Sequence, residues 1–198
     1  PEAMRRAIPS TMADFPTPEE LAARLEASAN DGQGLTENEK KIIGQPYYSS
    51  AKTHEPRYYQ RNAINRTVEA IARGQQRLLL VMATGTGKTY TAFQIVYRLL
   101  QSGLKRKVLY LADRNILVDQ SIQQDFAPLG KTIHKINFAK DDPTTITSFQ
   151  VYFSLYQQLT DKDDDTADTA EDETVSRLAS LFQKDFFDLI IVDECHRG

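Results

Sequence analysis

Two groups of residues in this 198-residue chain have the types and spacing that phosphate chemistry requires. The first is Met82-Ala83-Thr84-Gly85-Thr86-Gly87-Lys88-Thr89. Gly85 and Gly87 let the backbone wrap closely round phosphate oxygens, and Thr84 to Gly87 can turn their amides toward the positive end of a following helix. Lys88 supplies a point charge to β- and γ-phosphates, and the Thr89 hydroxyl can ligate Mg²⁺. The pattern GxxxxGK[ST] lacks its first glycine, which is Met82 here; that position only opens the loop. The second group is Asp193-Glu194, directly after the apolar run Leu189-Ile190-Ile191-Val192. Adjacent carboxylates at the end of a buried strand are an electrostatic liability unless a cation faces them. Mg²⁺·ATP removes that liability, with Asp193 orienting the metal and Glu194 polarising the water for in-line displacement of the γ-phosphate. The bland alternatives are a glycine-rich turn that binds nothing and an acidic turn after an edge strand.

These groups need a frame. From residue 56 onward, helical periodicity alternates with compact apolar runs, the mark of βαβ units and a parallel sheet. The spacing predicts helices at 57–73, 88–101, 115–126, 149–159 and 175–182. It predicts strands at 77–82, 107–111, 132–136, 144–147 and 189–192, with the first apolar on both faces as a buried parallel strand is. Residues 1–55 read as a helical lead-in or connector that packs on the main domain, with too few large apolar residues for its own core. Two capping boxes start its helices, Thr17 with Glu20 behind Pro18 and Thr36 with Glu39. Residues 56–198 form the ATP-binding unit. The chain stops six residues after Val192, where a doubly wound sheet needs more strands, so it reads as a piece of a longer protein.

Composition fits an ordinary globular domain, 40% hydrophobic and 26% charged. No apolar run reaches the roughly 18 residues a membrane span needs, and the amino terminus does not read as a secretory signal. The single cysteine, Cys195, allows no internal disulfide, which agrees with a cytoplasmic setting. Net charge is −3, but residues 161–173 hold eight acids and one lysine, a local −7, so the remainder carries +4. A mildly basic body permits nucleic-acid binding without demanding it.

A resemblance now becomes specific. Met82 to Thr89, then Leu111-Ala112-Asp113-Arg114, then Ile146-Thr147-Ser148-Phe149-Gln150, then Asp193-Glu194-Cys195-His196-Arg197-Gly198 resemble motifs I, Ia, Ib and II of superfamily 2 helicases and translocases. Within that superfamily the chain is most similar to the motor subunit (HsdR) of type I restriction enzymes, where the DECHRG ending and a lead-in like Asp14-Phe15-Pro16-Thr17-Pro18-Glu19-Glu20-Leu21 occur together. The resemblance implies the first RecA-like lobe of a P-loop NTPase: an α/β parallel sheet with helices on both faces, truncated after motif II.

It also implies an ATP- and Mg²⁺-dependent motor that translocates double-stranded DNA before cleavage, beside methyltransferase and specificity subunits and away from any membrane. A nuclease domain upstream and a second lobe downstream would lie outside this chain, leaving it nearly inactive alone. Gln60, in Arg57-Tyr58-Tyr59-Gln60, resembles the family's adenine-reading element, an amide that can pair with N6 and N7 together; it is equally a polar helix-start residue. Arg114, Thr147 and Ser148 match motifs that grip the backbone of one DNA strand without reading sequence; Arg114 is equally a surface residue. His196 resembles the residue that links nucleotide state to DNA handling. Cys195 reads as packing, because neighbours at a strand end point to opposite faces and make a poor nucleophile–base pair. Tyr47, Tyr48, Tyr58 and Tyr59 could stack on bases but more readily serve as core or hinge. Competing readings are another superfamily 2 helicase, a type III restriction subunit, or an ATP-binding switch without DNA.

Overall fold

The computed structural model describes residues 17–32, 34–51, 53, 55–160 and 178–195. Both lead-in helices start where a hydroxyl can satisfy an orphan amide. At α1 (Pro18–Ser28), Thr17 Oγ1 accepts from the Glu20 amide at 3.2 Å and the Glu20 carboxylate accepts from the Thr17 amide at 3.1 Å. At α2 (Glu37–Ile43), Thr36 and Glu39 repeat the exchange at 3.2 and 2.8 Å.

Glu39 is fully buried and also accepts from Arg73 Nε at 2.6 Å and Asn30 Nδ2 at 2.9 Å. The Thr36 amide, then Arg73 and Asn30, hold its carboxyl down from 4.5 to about 2. A folded-state pKa below the unfolded one gives stability that is complete above the unfolded value and lost as pH falls toward the folded one. Melting temperature should therefore drop as pH is lowered from 4.5 toward 2, and the Glu39→Gln variant should show a flatter profile over that interval. An unchanged slope in the variant would remove Glu39 as a source of acid sensitivity.

The lead-in docks through α2. Its Ile42 packs with Ile64, Val68 and Ala72 of α3 (Tyr58–Ala72) and with Ile95 and Leu99 of α4 (Lys88–Gln101). The buried Arg98 guanidinium donates to the Ile42 carbonyl at 2.8 Å, the Gln45 carbonyl at 3.0 Å and Asn65 Oδ1 at 2.7 Å. The Gln94 amide exchanges hydrogen bonds with the Tyr48 backbone at 2.9 and 3.0 Å. Tyr48 also lies edge-on to Phe93 and Tyr97, and Tyr47 lies under Arg98, so both serve packing. Tyr58 is 78% exposed.

The sheet is parallel throughout. β1 (Val108–Ala112), β2 (Ile133–Lys135), β3 (Val151–Leu155) and β4 (Leu189–Val192) lie in the order β2-β3-β1-β4. Val108, Tyr110 and Ala112 join Val151, Phe153 and Leu155 on the face covered by α4 and by Val118 of α5 (Asn115–Gln123). Leu109, Leu111 and Tyr152 face the other way, under Ile136, Ile146, Leu181 and Phe182. Two covered faces explain why β1 and β3 are buried along their whole length.

Three sequence expectations are corrected. Residues 144–147 are not a strand: 144–146 belong to a short helix, α6 (Pro143–Ile146), and Thr147 caps its end, because the Asp142 carboxylate caps the Thr144 amide at 2.7 Å with Pro143 in the first turn. Residues 151–155 are strand β3 and not part of a helix; only α7 (Tyr156–Thr160) is helical within 149–159. The strand expected at 77–82 is absent from the sheet. Residues 75–83 take no regular structure, with Leu79 75% and Val81 87% exposed. A buried parallel strand needs a ladder partner and two covering layers; here β4 is outermost, with Ile190 and Val192 exposed too. The lead-in up to residue 16, the acidic segment 161–173, the start of the helix expected at 175–182 and His196 lie outside the described residues.

Candidate functional site

Parallel strands place all their carboxyl ends on one edge, and most of the reactive residues meet there. The loop at 82–89 enters α4 through Gly87, whose φ of +80° suits glycine; Gly85 is also left-handed at +76°. A Cβ on Gly87 would stand 2.5 Å from Gln60 Nε2. The buried Gln60 amide braces this loop: Nε2 donates to the Thr86 carbonyl at 2.9 Å, while Oε1 accepts from the Arg57 amide at 2.9 Å. Thr86 Oγ1 donates to the Ala83 carbonyl at 2.6 Å, closing the turn on itself. Thr84 and Gly85 are exposed, while Thr86, Gly87, Lys88 and Thr89 are half-buried at the start of the helix.

The acidic pair arrives from β4. The Asp193 amide donates to the Leu111 carbonyl at 2.8 Å, extending the ladder with β1 by one bond. Asp193 Oδ1 accepts from the Glu194 amide at 3.0 Å, and Oδ2 accepts from the Tyr110 hydroxyl at 3.0 Å. Burial first, and then the Asp193 carboxylate, push that hydroxyl well above the ordinary tyrosine range, so it stays a donor. Glu194 has a φ of +54°, uncommon for a residue with a Cβ, and its carboxylate meets Lys88 Nζ at 2.6 Å. One ammonium and two carboxylates leave a net negative cluster at the end of a helix-facing loop. Among the described residues no group of three or more His, Cys, Asp or Glu could hold an ion. The Asp193 and Glu194 carboxylates alone still suit Mg²⁺, which keeps several waters and takes only one or two carboxylates plus phosphate oxygens.

A second set of residues follows β1 on the same edge. Arg114 is exposed, with Nε 3.6 Å from Asp113 Oδ2. Asp113 Oδ1 accepts from Tyr156 Oη at 3.1 Å and Gln157 Nε2 at 2.8 Å, and Gln157 also donates to the Asp113 carbonyl at 2.8 Å. Thr147 and Ser148 are not brought to this group. They precede β3, and Val151 pairs with Val108, so they sit at the amino edge where Lys107 donates to the carbonyls of Thr147 and Phe149. The length of β1 separates them from Arg114, about 17 Å at 3.3 Å per residue. Cys195, expected in packing, is exposed.

Residues 53–198 match the family described as "Type III restriction enzyme, res subunit". The chain belongs to this family. It is 45% identical, over 95% of its length, to the type I restriction enzyme EcoAI endonuclease subunit of Escherichia coli, of which it covers 21%. It is 36% identical over 72% of its length to the EcoKI endonuclease subunit of Escherichia coli strain K12, covering 12% of that protein. The chain thus spans about a fifth or less of the curated relatives it matches. A solved fragment of an HsdR subunit from Vibrio vulnificus YJ016 superposes with a TM-score of 0.63 at 35% identity, over 92% of this chain and 28% of that one. A nuclease-deleted Type ISP restriction-modification enzyme, LlaGI, solved with a DNA substrate mimic, shares the fold alone, with a TM-score of 0.53 at 24% identity over 72% of this chain and 15% of that one. The chain is therefore a homologue of type I restriction endonuclease subunits, with a helicase-like α/β fold. No described helix is long and apolar enough to cross a membrane.

Sequence reasoning missed Tyr110, Tyr156 and Gln157. Each donates a hydrogen bond to a carboxylate at the carboxyl edge, Asp193 or Asp113, through a strand pairing that a single sequence does not reveal. A tyrosine at an inward position of an apolar strand reads as core, and Tyr110 is core as well.

Proposed function

We propose that this chain is the nucleotide-binding part of a restriction-enzyme motor, coupling ATP hydrolysis to movement along double-stranded DNA before cleavage. The observation that carries the reading is the Lys88–Glu194 contact, which unites two groups far apart in sequence at the carboxyl edge. Lys88 and the amides of residues 84–87 bind the phosphates, with Gln60 holding the loop in shape. Thr89 and Asp193 are the residues that would hold Mg²⁺, which neutralises charge on the transferred phosphoryl group. Glu194, once Lys88 turns to phosphate, orients and polarises the attacking water. Arg114 contacts a DNA phosphate, held out from β1 by the Asp113 turn, and His196 carries nucleotide state toward that contact. The methyltransferase and specificity partners and the cytoplasmic setting follow from the same kinship.

The intact protein should hydrolyse ATP faster when linear double-stranded DNA is added, and Arg114→Ala should raise the DNA concentration needed for half-stimulation. The 198 residues alone should turn over hardly at all. Charge-stabilising arginines from a second lobe are worth about 10³- to 10⁵-fold in related phosphoryl transfer. Robust turnover by the 198 residues, or ATPase activity indifferent to DNA in the intact protein, would contradict the motor reading.

A further inference from the structure

The Tyr110 hydroxyl is a polar group placed deliberately in an otherwise apolar layer. Its ring is 1% exposed and packs at 5.5 Å from Phe126 and 5.0 Å from Phe153, contacts that phenylalanine would make equally well. Its oxygen leaves that layer at one point and donates to Asp193 Oδ2 at 3.0 Å. The other carboxylate oxygen is already engaged by the Glu194 amide at 3.0 Å. Both oxygens are therefore fixed, one from β1 and one from the turn after β4, and the carboxylate plane cannot rotate freely. Buried hydroxyls need a partner; this one has taken a carboxylate at the mouth of the site when backbone carbonyls satisfy others, as Tyr152 does with Ile146 and Phe149.

We infer that Tyr110 is a positioning residue for the metal: through the Asp193 carboxylate it sets the orientation in which Mg²⁺ and its waters are received beside the nucleotide. The inference rests on the nucleotide-binding reading above and extends it to a residue that touches neither phosphate nor metal. Outer partners of this kind fix the direction of a ligating group, and their loss commonly costs about 10- to 100-fold in metal affinity.

The test is a titration of the intact protein with a fluorescent ADP analogue, with and without Mg²⁺. Tyr110→Phe should leave Mg²⁺-free nucleotide affinity unchanged and raise the Mg²⁺ concentration for half-maximal enhancement by about 10-fold. Asp193→Asn should abolish the enhancement. A hydroxyl that merely satisfies the core would lower the melting temperature of Tyr110→Phe and leave its Mg²⁺ dependence equal to the parent's, and that result would overturn the inference while the nucleotide reading survives. Failure of the parent to bind nucleotide at all would end both. If Tyr110→Phe does not fold, the parent labelled with ¹³Cζ-tyrosine decides: Mg²⁺ added to the ADP complex should move one buried tyrosine resonance, and Asp193→Asn should remove the movement. No shift would count against Tyr110.

Discussion

Replacing Lys88 with alanine is expected to weaken ATP binding by at least about 30-fold in the intact protein, with the fold retained. Removing one partner of a desolvated, hydrogen-bonded charge pair costs about 2–5 kcal/mol, and each 1.36 kcal/mol is a factor of ten. Lys88 opens α4 at the end of the loop, and its Glu194 contact at 2.6 Å shows how far its ammonium extends. That contact is partly exposed, so its loss should change stability by only about 1 kcal/mol or less. Glu194→Gln separates the roles: it removes the internal competitor for the ammonium, so nucleotide binding should persist while hydrolysis fails. Calorimetric titration reads both variants. Near-normal ATP affinity in Lys88→Ala would mean that phosphate is bound elsewhere.

The largest stability effect is expected at Phe153. Its side chain is fully buried in β3, between Tyr110 at 5.0 Å and Phe126 at 5.1 Å. Phe153→Ala should cost about 3–5 kcal/mol, the transfer term plus the cavity left by a large ring. Against a total stability of about 5–15 kcal/mol, that brings the variant close to unfolding and should shift its urea midpoint sharply. Val81→Ala is the counterpart. A side chain 87% exposed should change stability by no more than about 0.5 kcal/mol, whereas a centre-strand valine would cost far more. Similar losses at both positions would mean that residues 77–82 are buried after all.

Elements with strong local signals were legible in the sequence. The capping boxes start α1 and α2, and α4 begins at Lys88, directly after the left-handed Gly87. The strand at 189–192 and its acidic end were equally plain. What failed depended on tertiary partners. The Val-Tyr-Phe-Ser-Leu segment of β3 is buried on both faces, so it shows no alternation, and its aromatics mimic a helical stripe in a longer window. Residues 77–82 have the composition of a central strand, yet strand formation needs a neighbour, and composition cannot supply one. The placement of Thr147-Ser148 relative to Arg114 was hidden for the same reason, since a residue before a parallel strand and one after it lie at opposite edges. Of the nucleotide loop and the acids, residue types and order were visible. The Tyr110 and Gln60 hydrogen bonds that hold them were not, because each joins elements distant in the chain.

The uncovered margin beside β4 governs how this molecule behaves in a flask. Ile190 and Val192 stand in water on the outermost strand of a parallel sheet, and Leu79 and Val81 are exposed as well; such a rim invites other molecules to add themselves as further strands. Kosmotropic salts such as ammonium sulfate strengthen apolar adhesion and will drive clumping, whereas cooling weakens it. Dilute, chilled, sulfate-free buffers are the conditions that keep the particles single.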